Sequence, residues 1–203
     1  METIAGKTLI CRPASYVERL DPTQIFSTPQ PLEVELGCGD GSFLVQWAKA
    51  HPQHNFLGVE RLLGRLRKVD RKGLRAGLAN LRLLRIEASY FMEYLLPPAS
   101  VHALHIYFPD PWPKRRHRKH RLINEHFTRM AARVLVPGGI LFLRTDDADY
   151  FSQMKLVFES NARFCAVETR ADLSAIWTDF ERDFQTRVVA VLRAAYQRLQ
   201  GVE

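Results

Sequence analysis

The residues best suited to chemistry lie at 108–112, where the chain reads Phe-Pro-Asp-Pro-Trp directly after an apolar run that begins at Val101. Proline has no N–H to donate to a strand ladder, so the two prolines predict that a buried strand ends here. Asp110 and Trp112 would then stand at the carboxyl end of that strand, where open α/β sheets bind their ligands. Residues 114–121 follow at once and are all lysine, arginine or histidine. The segment therefore predicts a reaction site beside a surface that binds nucleic acid.

A glycine-rich turn supplies a second candidate site. Gly37, Gly39 and Gly41 follow an apolar stretch and precede a helical pattern. Glycines allow a tight turn and a close approach of the backbone to a ligand, and the helix start offers free N–H groups. A dinucleotide fingerprint would need glycine where the chain has Ser42. Glu60 ends the next apolar run and is placed to accept hydrogen bonds from both hydroxyls of a ribose. The pattern predicts a cofactor that contains adenosine.

The elements that must position these residues follow an α/β alternation, which predicts a mostly parallel sheet with helices on both faces. Predicted strands occupy residues 32–36, 55–60, 81–86, 101–108, 139–145, 163–168 and 187–192. Predicted helices occupy residues 42–50, 61–78, 90–95, 122–135 and 150–160, and Pro-Gly-Gly at 137–139 is expected to break the chain after the fourth helix. We expect residues 1–30 to form an N-terminal arm and residues 31–203 to form one domain.

Composition limits the class of protein. A hydrophobic content of 46% in 203 residues excludes a disordered chain, and a net charge of +7 favours a polyanionic partner. Three widely separated cysteines indicate neither a disulfide framework nor a metal site. No apolar stretch approaches the roughly 20 residues that cross a bilayer. We therefore expect a soluble, cytoplasmic protein without a metal.

Two motifs carry a resemblance to known families. Residues 35–41 (Glu-Leu-Gly-Cys-Gly-Asp-Gly) resemble the ExGxGxG motif of S-adenosylmethionine-dependent methyltransferases. Residues 108–117 closely resemble the FPDPW signature of the bacterial tRNA (guanine-N7)-methyltransferases, and this resemblance extends along nearly the whole chain. It implies a Rossmann-like class I methyltransferase fold of seven strands, one of them antiparallel. It also implies transfer of a methyl group from S-adenosylmethionine to N7 of the variable-loop guanine in tRNA, by a monomer or a homodimer.

The resemblance assigns roles to individual residues. The cofactor side would be formed by Glu35, Gly37, Gly39, Gly41, Glu60, Glu87, Ala88 and Asp110, with Asp110 also catalytic. The family usually carries Asp or Asn where this chain has Glu87. The substrate side would be formed by Lys114, Asp146, Thr178, Asp179, Phe180 and Glu181, together with Arg115, Arg116 and Arg118 in the basic stretch.

The chemistry can also be argued from the residues. Guanine N7 carries a lone pair and no proton, so attack on a sulfonium methyl needs alignment and no general base. Positive charge grows on the purine, and a carboxylate in a water-poor pocket would stabilise it while accepting hydrogen bonds from the base. Asp110 and Glu181 are the candidates. Glu35 would complement the cationic end of the cofactor, and Trp112 would stack on the extruded base.

Several of these residues also have structural alternatives. Glu35 could pair with a lysine, and Trp112 could cap the core. Asp146 or Asp147 could cap the helix near residue 150, and residues 178–181 match the capping-box pattern S/T-x-x-E.

The basic stretches have alternatives as well. Residues 114–121 contain no acid and are expected to bind phosphates. A second cationic stripe follows helical spacing at Arg61, Arg65, Lys68, Lys72 and Arg75, and a solvated helix face would look the same.

Other functions remain open at this point. Residues 110–112 faintly resemble the motif of adenine amino-group methyltransferases, and the fold could also serve as a non-catalytic RNA-binding module. A nicotinamide dehydrogenase is disfavoured by Ser42.

Overall fold

One mixed sheet organises the computed structural model, which describes residues 8–182 and 189–201. Its strands are β1 (Ile10–Cys11), β2 (Leu32–Leu36), β3 (Asn55–Val59), β4 (Leu81–Leu84), β5 (Val101–Tyr107), β6 (Leu135–Thr145), β7 (Phe164–Val167) and β8 (Leu192–Arg198). The helices are α1 (Pro22–Ile25), α2 (Leu44–Ala50), α3 (Leu63–Arg75), α4 (Ala88–Tyr90), α5 (Glu125–Val134), α6 (Ala148–Glu159) and α7 (Ala171–Ala175). A π-helical turn (Phe91–Leu95) continues α4, and a 3-10 helix (Arg115–His120) follows β5.

The strand order is β1-β4-β3-β2-β5-β6-β8-β7. Strand β8 runs antiparallel to both β6 and β7, and the other pairs are parallel. This confirms the predicted Rossmann-like α/β sheet with one antiparallel strand. The described residues contain eight strands instead of the predicted seven, because Ile10 and Cys11 of the expected N-terminal arm pair with Leu83 and Leu84. The boundary between arm and domain at residue 30 remains a proposal.

Two predicted boundaries are wrong. The last strand begins at Leu192 instead of residue 187, and of the predicted range residues 187 and 188 lie outside the described residues. Its sequence is only partly apolar because an antiparallel strand near the edge is half buried, which weakens the hydrophobic signal. The predicted break at residues 137–139 lies inside β6, where Gly138 has a φ of 82° and the register against β5 shifts between Val101 and Ala103. A bulge therefore carries the strand through the Pro-Gly-Gly sequence.

The order in which the chain adds strands to the sheet reverses between β2 and β5. Strands β2, β3 and β4 proceed outward on one side, and β5 and β6 lie on the other side of β2. Ligands of open α/β sheets bind at such a switch point, outside the carboxyl ends of the strands. The two motifs singled out in the sequence follow β2 and β5, so the topology places them side by side.

A buried carboxylate ties β2 to its neighbours on one face of the sheet. Glu33 accepts hydrogen bonds from Trp47 Nε1 at 2.8 Å and from His105 Nε2 at 2.8 Å, and its other oxygen lies 2.6 Å from His54 Nδ1. Burial alone would raise the pKa of Glu33, but the hydrogen bonds from His105, Trp47 and His54 outweigh it and lower that pKa to about 2. Trp47 and His105 are thereby fixed beneath the cleft described below.

We expect Glu33 to make part of the folding free energy depend on pH. Because its folded-state pKa is depressed, its contribution is complete above about pH 4.5, its ordinary value, and is lost as the pH falls toward 2. The contribution is about 3 kcal/mol, from the size of the shift. Urea titrations of the wild type should therefore show stability falling through this window.

The variant Glu33→Gln should be less stable at neutral pH and should lose less stability on acidification. Glu168→Gln, at an exposed position, is the matched control and should keep the slope of the wild type. An identical acid slope in Glu33→Gln and wild type would contradict this role of Glu33.

Candidate active site

The glycine-rich turn after β2 forms the floor of the candidate site. Gly37, Gly39 and Gly41 have φ angles of 75°, 55° and 76°, which residues other than glycine rarely adopt. At Gly41 an added Cβ would also lie 2.5 Å from a methyl group of Val69. Glu60 holds the turn from β3, since its two oxygens accept hydrogen bonds from the N–H groups of Gly39 at 3.2 Å and Leu62 at 2.7 Å. The turn is thus fixed in an open shape that glycine adopts without strain, and its backbone faces the cleft.

Glu35 is the least satisfied polar residue of this floor. Its side chain is 4% exposed, and Oε2 has no hydrogen-bond partner. Burial raises the pKa of Glu35 to about 8; the charge of Arg144 opposes the rise, and Asp40 and Glu60 add to it. A buried carboxyl group without a partner favours a ligand that brings its own positive charge. The alternative of a lysine partner for Glu35 is not found among the described residues.

The cleft above this floor is open to solvent and has a cavity volume of about 160 Å³. It is lined by Glu35, Gly37, Cys38, Gly39, Asp40, Ser42, Phe43, Arg65, Tyr107, Phe108, Thr178, Asp179 and Phe180. Residues from four parts of the chain meet here: the turn after β2, helix α3, the end of β5 and the segment at 178–180.

The segment 178–182 is anchored by a buried ion pair. Thr178 and Glu181 form the reciprocal hydrogen bonds of a capping box, from Thr178 N to Glu181 Oε2 at 2.9 Å and from Glu181 N to Thr178 Oγ1 at 3.2 Å. Glu181 also pairs with Arg144 at 2.8 Å and with Arg193 at 2.7 Å. Both oxygens of Glu181 are therefore engaged within the chain. Its role as a carboxylate for the purine stays a prediction, and the geometry favours Asp110 over it.

Arg144 is a functional residue that the sequence analysis missed. It is 2% exposed and donates hydrogen bonds to the backbone oxygens of Ile176 and Leu173 as well as to Glu181. Its guanidinium also lies 4.2 Å from the ring centre of Tyr107. A lone arginine inside the apolar strand sequence at 140–145 was the available signal, because an unpaired arginine is almost never buried.

The segment after β5 departs from ordinary backbone geometry, as its prolines suggested. Phe108 and Trp112 have φ angles of 51° and 44°, values that are strained for bulky side chains. Phe108 faces Phe180 with 5.7 Å between ring centres. Asp110 follows at an exposed position and is not part of the cleft lining. The expectation of water-poor surroundings is therefore wrong for the Asp110 side chain in this structure.

The remaining predicted substrate residues lie on the surface. Trp112 is 37% exposed and contacts the rings of His117 and His120, so it does not cap the core. Lys114 and Asp146 are exposed, while Asp147 caps α6 by accepting a hydrogen bond from Tyr150 N at 2.7 Å. The choice between Asp146 and Asp147 as the cap is thereby settled in favour of Asp147.

The basic stretch divides into two groups. Arg115 and Arg116 are exposed, and neither forms an ion pair with any residue that the structure describes. Arg118 and Arg121 both pair with Asp149 of α6, at 3.1 Å and 2.6 Å. Asp149 lies 28 or more residues after these two arginines in the sequence. The lack of an acid within residues 114–121 therefore did not reveal that some of their cations are paired. Arg121 is buried and structural.

Arg121 also holds the loop that carries Asp110. Its Nε donates a hydrogen bond of 2.7 Å to the carbonyl oxygen of Pro111. The guanidinium lies 4.8 Å from the ring centre of Tyr150 on α6. Arg121 thus connects the loop after β5 to helix α6.

Two predicted cofactor residues lie at the end of β4. Glu87 is exposed and caps α4, accepting hydrogen bonds from Ser89 N at 3.0 Å and Tyr90 N at 2.8 Å. Ala88 begins that helix. Neither residue lines the cleft at the glycine turn. Their contact with the cofactor stays a prediction.

The cationic stripe on α3 is mostly solvent-exposed, as a solvated face would be. Lys72 differs because it pairs with Asp40 of the glycine turn, and Arg65 differs because it lines the cleft. No group of histidine, cysteine and acidic residues suited to a metal ion occurs in the described part of the chain. Within residues 8–182 and 189–201, no helix is both long enough and apolar enough to cross a bilayer.

This fold, with a glycine turn after its central strand and an acid ending the next strand, is that of the class I methyltransferases. Among solved structures, the chain is similar to the 16S rRNA methyltransferase KamB, with a TM-score of 0.67 and 18% identity over 90% of this chain and 95% of that one. It is also similar to an RNA methyltransferase from Salinibacter ruber, with a TM-score of 0.50 and 12% identity over 85% and 84% of the two chains. At these identities the likeness shows the fold alone.

Sequence relatives narrow the class to a family. The family model described as "Putative methyltransferase" matches residues 29–194. Proteins named tRNA (guanine-N(7)-)-methyltransferase from Syntrophotalea carbinolica and Rubrobacter xylanophilus are each 40% identical, over 68% and 74% of this chain and 60% and 67% of their own length. One from Thermotoga maritima is 33% identical over 83% of this chain and 51% of its own length. The chain belongs to this methyltransferase family.

Family membership confirms the predicted resemblance and, with it, S-adenosylmethionine as the cofactor. The matched region spans between about half and two thirds of the length of these curated relatives. The cleft also fits this cofactor. The ammonium and sulfonium groups of S-adenosylmethionine are positively charged, and buried Glu35 has an oxygen without a partner.

We expect cofactor binding to release a proton from Glu35. With a pKa of about 8, Glu35 is largely protonated at about pH 6.5, where the cofactor's amino group is already charged. A bound ammonium favours the carboxylate, so the proton leaves on binding. Calorimetric titration with S-adenosylhomocysteine in two buffers of different ionisation enthalpy measures this release.

The variant Glu35→Gln should bind more weakly and release no proton, whereas Glu168→Gln should behave as the wild type. Equal proton release by Glu35→Gln and the wild type would rule out Glu35 as the source.

Proposed function

We propose that this protein transfers a methyl group from S-adenosylmethionine to N7 of a guanine in tRNA, forming 7-methylguanosine at guanine 46 of the variable loop. The observation that carries the proposal is the placement of the FPDPW segment against the cofactor cleft: Phe108 lines the cleft and Asp110 follows two residues later. The curated relatives that bear this enzyme name are similar over most of this chain. We further propose a cytoplasmic enzyme that acts on tRNA as a monomer or homodimer.

The reaction asks the protein to position its reactants. Guanine N7 needs no deprotonation, so the rate depends on aligning nitrogen, methyl carbon and sulfur. Glu35 and the glycine turn would hold the cofactor, and Glu60 would accept hydrogen bonds from its ribose through lone pairs that Gly39 and Leu62 leave free.

Asp110 would act on the base itself. It stands at the exposed rim, where an incoming guanine would cover it and remove water from its carboxylate. Covered in this way, the carboxylate would accept hydrogen bonds from N1 and N2 of the purine and stabilise the positive charge that grows during transfer. Trp112, half exposed beside it, would stack on the extruded base.

The test is to treat unmodified tRNA with the protein and S-adenosylmethionine and to identify the methylated nucleoside by mass spectrometry. The proposal requires 7-methylguanosine. A methylated adenosine would support the amino-group methyltransferase instead, and cofactor binding without any methylated product would support a non-catalytic RNA-binding module.

Replacing Asp110 should remove transfer while the fold survives. Asp110→Asn should lower kcat by about 10²-fold or more, because a preorganised charge in an active site has an effect of that size. Glu168→Gln, at an exposed position with no role in the site, is the comparison, and melting temperature and cofactor affinity report the fold. Turnover of Asp110→Asn close to the wild-type value would remove Asp110 from the site.

The exposed arginines of the 3-10 helix should contribute to RNA affinity through phosphates. Removing two phosphate contacts with the double variant Arg115→Ala/Arg116→Ala should reduce the slope of log K against log salt by about 1.5. Lys49→Ala is the control because Lys49 is an exposed cation in the last turn of α2 and belongs to neither basic stretch. A salt slope in the double variant equal to that of Lys49→Ala would exclude these arginines from the RNA surface.

A further inference from the structure

The hydroxyl group of Ser42 joins two distant parts of the site. Ser42 Oγ lies 2.6 Å from Asp40 Oδ1 in the glycine turn and also forms a short hydrogen bond with Asp179, which is 137 residues away in sequence. The backbone N–H of Ser42 donates to the same Asp40 oxygen at 3.1 Å. The other oxygen of Asp40 pairs with Lys72 of α3. One side chain therefore connects the cofactor turn with the segment 178–182.

The number of protons limits how this contact can form. A hydroxyl group has one proton to donate, so it cannot donate to two carboxylates at once. Asp40 already accepts from an N–H group and from an ammonium group, which favours its ionised form. We therefore expect the second proton on Asp179. Its hydrogen bond with Asp40 comes first among the causes that raise the pKa of Asp179, and partial burial adds to it. Against burial, hydrogen bonds from Asp179, Lys72 and Ser42 hold the pKa of Asp40 well below its usual range.

The connection controls where Phe180 stands. Its neighbour Asp179 is held by Ser42, and Glu181 on the other side is held by Arg144. Phe180 lies between these two anchors and faces Phe108, 5.7 Å away between ring centres. The Arg144 anchor is buried, whereas Asp179 is about half exposed. The link to Ser42 is thus the weaker of the two and the one that a change in charge can release.

We infer that Ser42 is a positioning residue, which holds the segment 178–182 over the cofactor turn so that Phe180 and Phe108 together form the wall that receives the target base. This inference rests on the proposed function. It also explains why the residue that interrupts the dinucleotide pattern is a serine: at this position a hydroxyl group has a partner that glycine could not bind.

The link should also respond to pH. Other charged groups around it are Lys72 on α3, Arg65 in the cleft lining, Arg182 at 3.2 Å from Asp179, and Glu35 and Glu60 on β2 and after β3. Because the pKa of Asp179 is raised, the protonated, linked form is present below that pKa and is lost as the pH rises through it. Above it two carboxylates face each other across Ser42, Asp40 paired with Lys72 and Asp179 with Arg182, and their mutual repulsion opposes the link.

The test compares Ser42→Ala, Ser42→Thr and Asp179→Asn with the wild type. We expect Ser42→Ala to raise the KM for tRNA by about five- to tenfold, the equivalent of one hydrogen bond, with a much smaller change in kcat and in affinity for S-adenosylhomocysteine. Ser42→Thr keeps the hydroxyl group and should restore the KM. Asp179→Asn keeps a neutral donor and should remove the rise of KM with pH.

Hydrogen exchange provides a readout that does not depend on catalysis. In protein saturated with S-adenosylhomocysteine, the amides of residues 179–182 should exchange faster in Ser42→Ala than in the wild type or Ser42→Thr. If the wild type fails to methylate tRNA but this difference in exchange appears, the proposed function fails and the link stands. Equal exchange and equal KM in Ser42→Ala and the wild type would overturn the inference, as would equal impairment in Ser42→Ala and Ser42→Thr.

Discussion

The site depends on the buried guanidinium of Arg144. Burying an ion pair is expensive unless further hydrogen bonds satisfy the remaining donors. Here the carbonyl oxygens of Leu173 and Ile176 do so, next to the pair with Glu181. The same charge opposes the rise in pKa of Glu35 and lies over the ring of Tyr107. Arg144 therefore joins the segment 178–182 to the sheet and favours the ionised form of Glu35 at the floor of the cleft.

The carboxyl groups around the turn differ in pKa because they have different hydrogen-bond partners. Glu33 has three donors and stays ionised to low pH, while Glu35, two residues later on the same face of β2, has an oxygen without a partner. Asp40 is held ionised by Lys72 and Ser42. A strand places every second side chain on the same face, so Glu33 and Glu35 follow one another along one face of β2. Donors from Trp47, His105 and His54 make Glu33 a structural carboxylate, whereas Glu35, nearer the carboxyl end of the strand, is left for a ligand.

The motifs were predictable from sequence because each depends on local backbone chemistry. Glycines with positive φ, prolines that end β5 and the acid that ends β3 leave signals within a few residues. Arg144 with Glu181, Arg121 with Asp149, and Ser42 with Asp179 did not, since their partners lie 28 or more residues apart and meet only when the sheet forms. For the same reason the basic stretch predicted more free cations than the structure has. The sequence analysis predicted the final strand too early in the chain. Residues 192–198 form this strand by pairing with β6 while they are only half buried, so their apolar content does not mark them.

Two carboxylates were candidates for contact with the purine, and the folded chain distinguishes them. Glu181 is surrounded by donors of its own chain, and moving it toward a base would break the capping box and two ion pairs at once. Asp110 lies on a loop that Arg121 fastens through the backbone of Pro111, and its side chain forms no hydrogen bond or ion pair with the residues that the structure describes. A side chain that contacts a substrate needs a fixed backbone and a functional group that is not already bound within the chain. Asp110 meets both conditions, and Glu181 serves by fixing the segment on which Phe180 stands.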